Sequence, residues 1–313
     1  MAKKALIAIG GNSLIRVGER GTIEEQFHNA NETAKAVVKM LKKGWDVVLT
    51  HGNGPQAGAA LIRSERGAGE VYTHTLDMCV ATTQSEIGYV LERALRQQLF
   101  EFGINKDVIT IPTMVVVDAN DPAFNSPSKP IGPFYTKAIA EQKKKTLAWN
   151  IVEDASRGYR RVVPSPEPKK VLQLGIINKA IDMGLLVVAL GGGGIPILDK
   201  GNGKIEGIEA VIDKDRSSAL LASSLDVDLF IISTDADQVY INYKKENQQG
   251  LPETNTNELE QLALDGQFPK GSMGPKVESV VRYIKNGGKH AIITSYEYLD
   301  EALEGRAGTH IYN

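Results

Sequence analysis

Residues 185–190, Leu185-Leu186-Val187-Val188-Ala189-Leu190, run directly into Gly191-Gly192-Gly193-Gly194-Ile195-Pro196-Ile197. Glu209-Ala210-Val211-Ile212-Asp213-Lys214-Asp215 follows shortly after. The apolar run reads as a buried strand. Four glycines at its end lack Cβ atoms, so the turn can bring backbone N–H groups close to a ligand, and such groups suit an anion. A flexible loop is the alternative reading of the glycines taken alone. Their position favours the anion site, because ligands of open α/β sheets sit at the carboxyl ends of strands. Asp213-Lys214-Asp215 follows an apolar triplet and precedes a helical pattern over 214–224. A lysine flanked by carboxylates is an oriented cation, and beside a glycine nest it can stabilise charge on a phosphoryl group in transit. The alternative is a solvated charge cluster at a helix start, where Asp is common.

The same unit recurs upstream. A buried-strand pattern over 5–9 ends in Gly10-Gly11-Asn12-Ser13, and another over 46–50 ends in His51-Gly52-Asn53-Gly54-Pro55-Gln56. Between them Thr22-Ile23-Glu24-Glu25 is a capping box, followed by a helix with Phe27, Ala30, Ala34, Val37 and Leu41 on one face and closed by Gly44. Helices are predicted over 55–66 and 76–102, and a strand over 108–117 broken near Pro112. Strands alternating with helices predict βαβ units and a mostly parallel sheet covered on both faces. The three glycine-terminated strand ends should then share one edge of that sheet.

Residues 118–165 differ in texture, with Pro122, Pro127, Pro130, Pro133 and Pro164, and they interrupt the βα rhythm. They read as an insertion, a lid over the sheet edge. Lys129 sits in the stiff segment Ser128-Lys129-Pro130-Ile131-Gly132, which would aim its side chain, while Lys143-Lys144-Lys145 reads as a solvated helix face. The rhythm resumes with a helix over 171–183 and a strand over 229–233. That strand leads into Thr234-Asp235-Ala236-Asp237-Gln238-Val239-Tyr240, either a hydroxyl- or metal-binding end or a plain turn. Lys270-Gly271-Ser272-Met273-Gly274-Pro275-Lys276 enters a helix over 277–286, where glycines and lysine can clamp a phosphate. A flexible loop with a proline at the helix start is the alternative.

Composition narrows the classes. The 313 residues suffice for one large α/β domain or two lobes, and the formal net charge of −2 gives no basic footprint, so nucleic acid is not an expected partner. A single cysteine, Cys79, forbids an internal disulfide and fits a reducing compartment. Met1-Ala2-Lys3-Lys4 runs straight into a strand pattern and no run has the length of a membrane span, so a cytoplasmic protein is expected. The P-loop, the Gly-x-Gly-x-x-Gly fingerprint, the protein-kinase set and the Gly-x-Ser-x-Gly elbow are missing. The five histidines are scattered, which disfavours zinc, and His51 is expected to hydrogen-bond structurally rather than act as a base.

Residues 9–14, 51–56, 128–132, 191–196, 209–215, 234–240 and 271–276 together resemble the motifs of the amino acid kinase family, across nearly the whole chain. Segments 128–132, 209–215 and 271–276 are similar to its carbamate-phosphorylating branch, with Gln238 standing where that branch has a lysine. The resemblance implies an open three-layer αβα sandwich with a mostly parallel central sheet. An N-terminal lobe over 1–208, carrying a protruding subdomain over about 118–166, would bind carbamate or carbamoyl phosphate. A C-terminal lobe over 209–313 would bind ATP or ADP with Mg²⁺. It implies a homodimer without nucleic-acid or membrane partners and a reversible phosphoryl transfer between ATP and carbamate, run toward ATP synthesis in arginine fermentation. Lys214 oriented by Asp213, with Lys129, Lys276 and Asn12, would carry the chemistry. Gly10, Gly11, Gly52, Asn53, Gly54, Gly192 and Gly193 would bind substrate, and Thr234, Asp235, Tyr240, Met273 and Lys276 the nucleotide. It names no protein ligand for the metal. An acetylglutamate, glutamate or aspartate kinase is the first competitor, which segment 128–132 opposes. A non-catalytic nucleotide-binding sensor is the second, opposed by the joint presence of Lys129, Lys214 and Lys276.

Overall fold

The computed structural model describes residues 3–16, 18–153, 158–269 and 271–313. The side chain of Asn12 and the whole of Lys270 lie outside the described residues.

The first half of the chain runs β1 (Lys3–Ile9), α1 (Ile23–Lys42), β2 (Trp45–His51), α2 (Gly54–Arg66), α3 (Leu76–Glu101), β3 (Val108–Ile111) and β4 (Met114–Val116). The insertion contributes β5 (Lys129–Tyr135), α4 (Lys137–Leu147), β6 (Ile151–Glu153) and β7 (Tyr159–Val163). Then come β8 (Lys170–Val171), α5 (Leu174–Asp182), β9 (Leu186–Ala189), β10 (Ile195–Asp199), β11 (Ile205–Gly207), α6 (Lys214–Ser224) and β12 (Leu229–Ser233). The chain finishes with β13 (Val239–Ile241), β14 (Gln249–Leu251), β15 (Glu253–Asn255), α7 (Thr256–Leu264), α8 (Met273–Lys285), β16 (Ala291–Thr294), α9 (Leu299–Leu303) and β17 (Thr309–Tyr312).

The central sheet has eight strands in the order β15-β17-β16-β12-β1-β2-β9-β3, parallel apart from the β16–β17 pair. Period-2 alternation sends each strand's side chains to both faces, and both faces are buried. In β1, Leu6 and Ala8 join one core while Ala5, Ile7 and Ile9 join the other. In β12, Phe230 and Ile232 face the first core, Leu229 and Ile231 the second. Helices α5, α6, α7 and α8 cover the first face through Ile177, Leu221, Leu259 and Val280; α1, α3 and α9 cover the second through Val37, Leu91 and Leu299. Each fully buried Leu, Ile or Phe contributes about 1.5–3 kcal/mol. The expected three-layer αβα arrangement is therefore what the chain adopts.

The capping box is present: Thr22 Oγ1 accepts from Glu25 N and Glu25 returns to Thr22 N. The insertion folds as a small antiparallel sheet, β5-β7-β6, packed on α2 and α3 through Leu61, Val80, Ile131 and Val163.

Four expectations shift. Pro112 does more than break a strand: the chain changes sheets there, β3 edging the main sheet and β4 joining a second sheet, β11-β10-β4-β8. Val171 belongs to β8, and the helix starts at Leu174, because Val171 pairs with Val115. Helix α8 begins at Met273, a turn earlier than expected, so Met273 and Lys276 sit on the helix itself. Lys143 is not a solvated face residue. Its ammonium lies 4.4 Å from the Trp149 ring centroid and 3.9 Å from Glu65.

Candidate active site

β1, β2 and β9 are neighbours in the sheet, so their glycine turns meet at one edge, as the strand pattern required. Gly52 N donates to Ile9 O at 3.1 Å and ties the first two turns together. The third turn is strained. Buried Leu190 adopts φ 56°, ψ 33°, and Gly192, Gly193 and Gly194 have φ of 64°, 87° and 96°. Space is as restrictive as backbone angle here. A Cβ on Gly192 would lie 2.2 Å from Asn53 Nδ2, and one on Gly193 2.6 Å from Ile212 O.

Buried polar side chains hold the turn from behind. Gln84 donates to Gly191 O at 2.7 Å and Thr113 O at 3.1 Å and accepts from Thr113 N at 2.8 Å. Ser217 Oγ donates to Gly193 O at 2.7 Å, and Asn53 Nδ2 to Thr83 Oγ1 at 2.9 Å. His51 Nδ1 bonds Gly52 O at 3.1 Å, and burial pushes its imidazole down to about 4, so it is a neutral structural group, as expected.

Facing the turns is a cluster of three lysines and two aspartates. Asp213 caps α6, accepting from Asp215 N and Arg216 N. Its other oxygen takes Lys129 Nζ at 2.5 Å, which brings the insertion over the sheet edge. Asp215 is 3 % exposed and accepts from Lys214 at 2.5 Å and from Lys276 at 3.1 Å. Lys214 also donates to Ala8 O, at the end of β1, at 3.2 Å. The sequence-based pairing of Lys214 with Asp213 is therefore corrected: Asp215 orients Lys214, and Asp213 holds Lys129. As the N-cap, Asp213 uses one oxygen on the helix start and turns the other to the insertion.

The electrostatics follow from burial and pairing. Burial raises the cost of charge on both aspartates, yet the adjoining lysines outweigh it and hold both carboxyls below the usual range, Asp213 through Lys129 and Asp215 through Lys214 and Lys276. Burial pulls Lys214 down, against the pull of Asp215. Lys276 is also buried, but Asp215 outweighs that and raises it. The result is a desolvated cationic pair locked to one carboxylate.

Two cavities share this cluster. The smaller, about 190 Å³, is lined by Gly11, Gly52, Asn53, Gly54 and Gly192 on one side and by Lys129, Lys214 and Lys276 on the other. The larger, about 370 Å³, is lined by Thr234, Asp235, Tyr240, Tyr243, Phe268 and Met273, again with Lys276. Lys276 thus stands between a compact cleft rich in glycine and lysine and a longer, partly aromatic one.

Most residues expected at the site line these two cavities. Gly10 and Gly193 do not: Gly10 precedes the short turn Gly11–Ser13, and Gly193 is packed against the Ile212 carbonyl. The backbone of Asn12 lies in that turn, and its side chain is outside the described residues. Sequence reasoning missed Asp215 as the hub, and Gln84, Ser272, Tyr243 and Phe268. Gln84 carried a legible signal, a polar residue on the helical stripe of Val80, Ile87 and Leu91. Tyr243 and Phe268 carried none, since they reach the cavity from irregular loops.

The sequence pattern of the Amino acid kinase family matches residues 3–295. The chain is 44 % identical over 313 residues to "Carbamate kinase" of Thermococcus kodakarensis, covering 99 % of each chain. It is 46 % identical over 311 residues to "Carbamate kinase" of Staphylococcus haemolyticus, covering 98 % of each. The structure of carbamate kinase from Giardia lamblia bound to AMP-PNP superposes with a TM-score of 0.92 at 39 % identity, covering 99 % of this chain and 98 % of that one. With the family pattern spanning nearly all of the sheet and both cavities, the chain belongs to the amino acid kinase family.

Proposed function

We propose that this chain catalyses the reversible transfer of a phosphoryl group between ATP and carbamate, giving ADP and carbamoyl phosphate. The observation that carries the reading is the small cleft where Lys129, Lys214 and Lys276 face glycine turns. Its volume of about 190 Å³ is below the roughly 300 Å³ at which ordinary ligand pockets begin, which suits a compact anion better than a longer amino acid. The relatives named carbamate kinase match over essentially the full chain, which supports the same substrate.

The chemistry asks for position and charge neutralisation. Toward ATP, the bond between phosphorus and the carbamoyl oxygen breaks and one between phosphorus and a terminal oxygen of ADP forms. No proton moves, so no general base is needed. Backbone N–H groups of Gly11, Gly52 and Asn53 and of Gly54 at the start of α2 hold the transferring group. Lys214 and Lys276 neutralise its equatorial oxygens from the nucleotide side, and Lys129 holds the carbamoyl end. Asp215 fixes the first two ammonium groups before substrate arrives, so little reorganisation is left for the transition state. Gly192 keeps the wall thin enough for close approach. Asn12 belongs to the acceptor side.

The larger cavity takes the nucleotide, with Thr234, Asp235, Tyr240 and Met273 around it. On this reading residues 1–208 hold the acceptor, with Lys214 and Lys276 reaching it from the other side, and residues 209–313 hold the nucleotide. The nucleotide's phosphates would hold Mg²⁺, which would supply further charge neutralisation there. In support, Asp213 and Asp215 are already engaged by lysines. A homodimer working in the cytoplasm completes the reading. Among the described residues no helix is long and apolar enough to cross a membrane.

A panel of acceptors tests it. With ATP and Mg²⁺, carbamate should support ADP formation, whereas acetylglutamate, glutamate and aspartate should not. Turnover with one of the amino acids and none with carbamate would overturn the substrate assignment. Nucleotide binding without turnover on any acceptor would identify a sensor.

A further inference from the structure

The insertion touches the rest of the chain at a point that the phosphoryl-transfer reading leaves unexplained. A Cβ built on Gly58, in the middle of α2, would lie 2.0 Å from Gly132 Cα and 2.2 Å from Gly132 N in β5. Helix and strand therefore meet backbone to backbone, with no side chain between them. Gly132 has φ +71°, and the β5–β7 pairing shifts register between Ile131 and Tyr135, so the strand bends at the contact. Arg160 Nε donates to Gly132 O at 3.2 Å and pins the bend from the other side. Lys129 lies three residues away on the same strand, and its ammonium reaches Asp213 at 2.5 Å.

We propose that Gly58 is a positioning residue: its contact with Gly132 sets how far over the cleft the insertion presents Lys129. This rests on the reading of Lys129 given above. Two flanking contacts make Gly58 the pivot. On one side Ile131 and Val163 pack on Leu61 of α2 and exclude water from the seam. At the far end of α2, Glu65 faces Lys143 at 3.9 Å and Arg161 at 3.8 Å, and both cations lie 4.4 Å from the Trp149 ring centroid. Helix α2 begins in the cleft at Gly54, so the element that delivers backbone N–H groups to the anion also fixes the height of the lysine above it. A methyl group at position 58 has no space unless β5 lifts, and lifting β5 withdraws Lys129.

Gly58→Ala tests this directly. Alanine is the better helix former, so α2 itself is not weakened. In ATP synthesis the KM for carbamoyl phosphate should rise about tenfold or more while the KM for ADP stays within about twofold, an effect that selectively loses acceptor binding. Lys129→Ala should add less than about threefold in the Gly58→Ala background, since the lysine is already displaced. Trp149 emission, read in a Trp45→Phe background to isolate it from the chain's other tryptophan, should shift. An unchanged KM for carbamoyl phosphate, an equal rise in both KM values, or full additivity with Lys129→Ala would each overturn the proposal. Should Gly58→Ala not fold, Glu65→Gln loosens the far anchor without added volume and should move the carbamoyl phosphate KM and Trp149 emission in the same sense; no movement counts against the pivot. Lys129→Ala alone separates the two claims. If it leaves the carbamoyl phosphate KM unchanged, the reading of Lys129 falls and the pivot with it. If it raises that KM and Gly58→Ala does not, only the pivot falls.

Discussion

Asp215 Oδ1 accepts Lys214 Nζ at 2.5 Å while Oδ2 accepts Lys276 at 3.1 Å, so one buried carboxylate fixes the spacing of two cations. Neither lysine could stay charged at this depth alone, because desolvating an unpaired ammonium costs several kcal/mol. The carboxylate offsets the repulsion between them, and both lysines line the cleft.

Asp215→Asn keeps the shape and removes the charge. We expect kcat to fall by about 10²–10³-fold, the scale of losing preorganised transition-state stabilisation. Both Asp215→Asn and Asp215→Ala strand two buried ammonium groups and should also lower folding stability, Asp215→Ala by about 3–5 kcal/mol. Steady-state kinetics and urea unfolding read the two effects separately. An Asp215→Asn enzyme within a few-fold of the unaltered one would remove Asp215 from the centre of the site.

Lys129→Ala should act on the acceptor side, raising the KM for carbamoyl phosphate by about 10–100-fold with the KM for ADP little changed. Its partner Asp213 has a second duty as the cap of α6. Asp213→Ala should therefore also cost about 1 kcal/mol of stability, a loss that Lys129→Ala does not share. Equal effects of Lys129→Ala on both KM values would contradict its placement.

Much of this site could be read from sequence because strand ends advertise themselves. Apolar runs closing in glycine at 9–11, 49–52 and 190–194 required a shared edge, and the sheet order supplies it. Asp213 as N-cap was legible in type but not in partner. Its pairing with Lys129 spans 84 residues, and no local pattern encodes which of the two aspartates flanking Lys214 faces an insertion. The same limit hid Lys143, whose neighbours Glu65 and Trp149 are set by how the small sheet docks. The early start of α8 was hidden by Gly274 and Pro275, which read as loop but occupy a first turn, where a missing N–H costs little.

Gly192→Ala should be damaging out of proportion to one methyl group. The site demands φ +64°, and the new Cβ would run into the Asn53 side chain. A loss of about 1–3 kcal/mol in stability is expected from the backbone angle. Displacement of Asn53 should add a fall in kcat/KM. Differential scanning calorimetry with kinetics checks both; a variant as stable and active as the unaltered chain would show that the turn is not held as tightly as its geometry indicates.

His51 provides a pH test. Its imidazole is pushed down to about 4 by burial, against 6.5 in the unfolded chain. The neutral form is favoured in the fold, so its contribution is fully present above pH 6.5 and is lost as pH falls from there toward 4. Over that window the loss amounts to about 3 kcal/mol. His51→Gln has no such proton to take up. Between pH 7 and pH 4 the unaltered chain should therefore lose about 3 kcal/mol more unfolding free energy than the variant. Equal losses would mean that His51 is not held neutral in the fold.

The most direct measurement is ATP formation from ADP and carbamoyl phosphate with Mg²⁺, followed by a coupled assay for the unaltered chain and for Lys214→Ala side by side. Rapid ATP formation that falls by orders of magnitude in Lys214→Ala, with the variant folded and still binding ADP, is the expected result. ATP formation surviving within a few-fold in Lys214→Ala, or no ATP from an unaltered chain that binds ADP, would contradict the assigned chemistry.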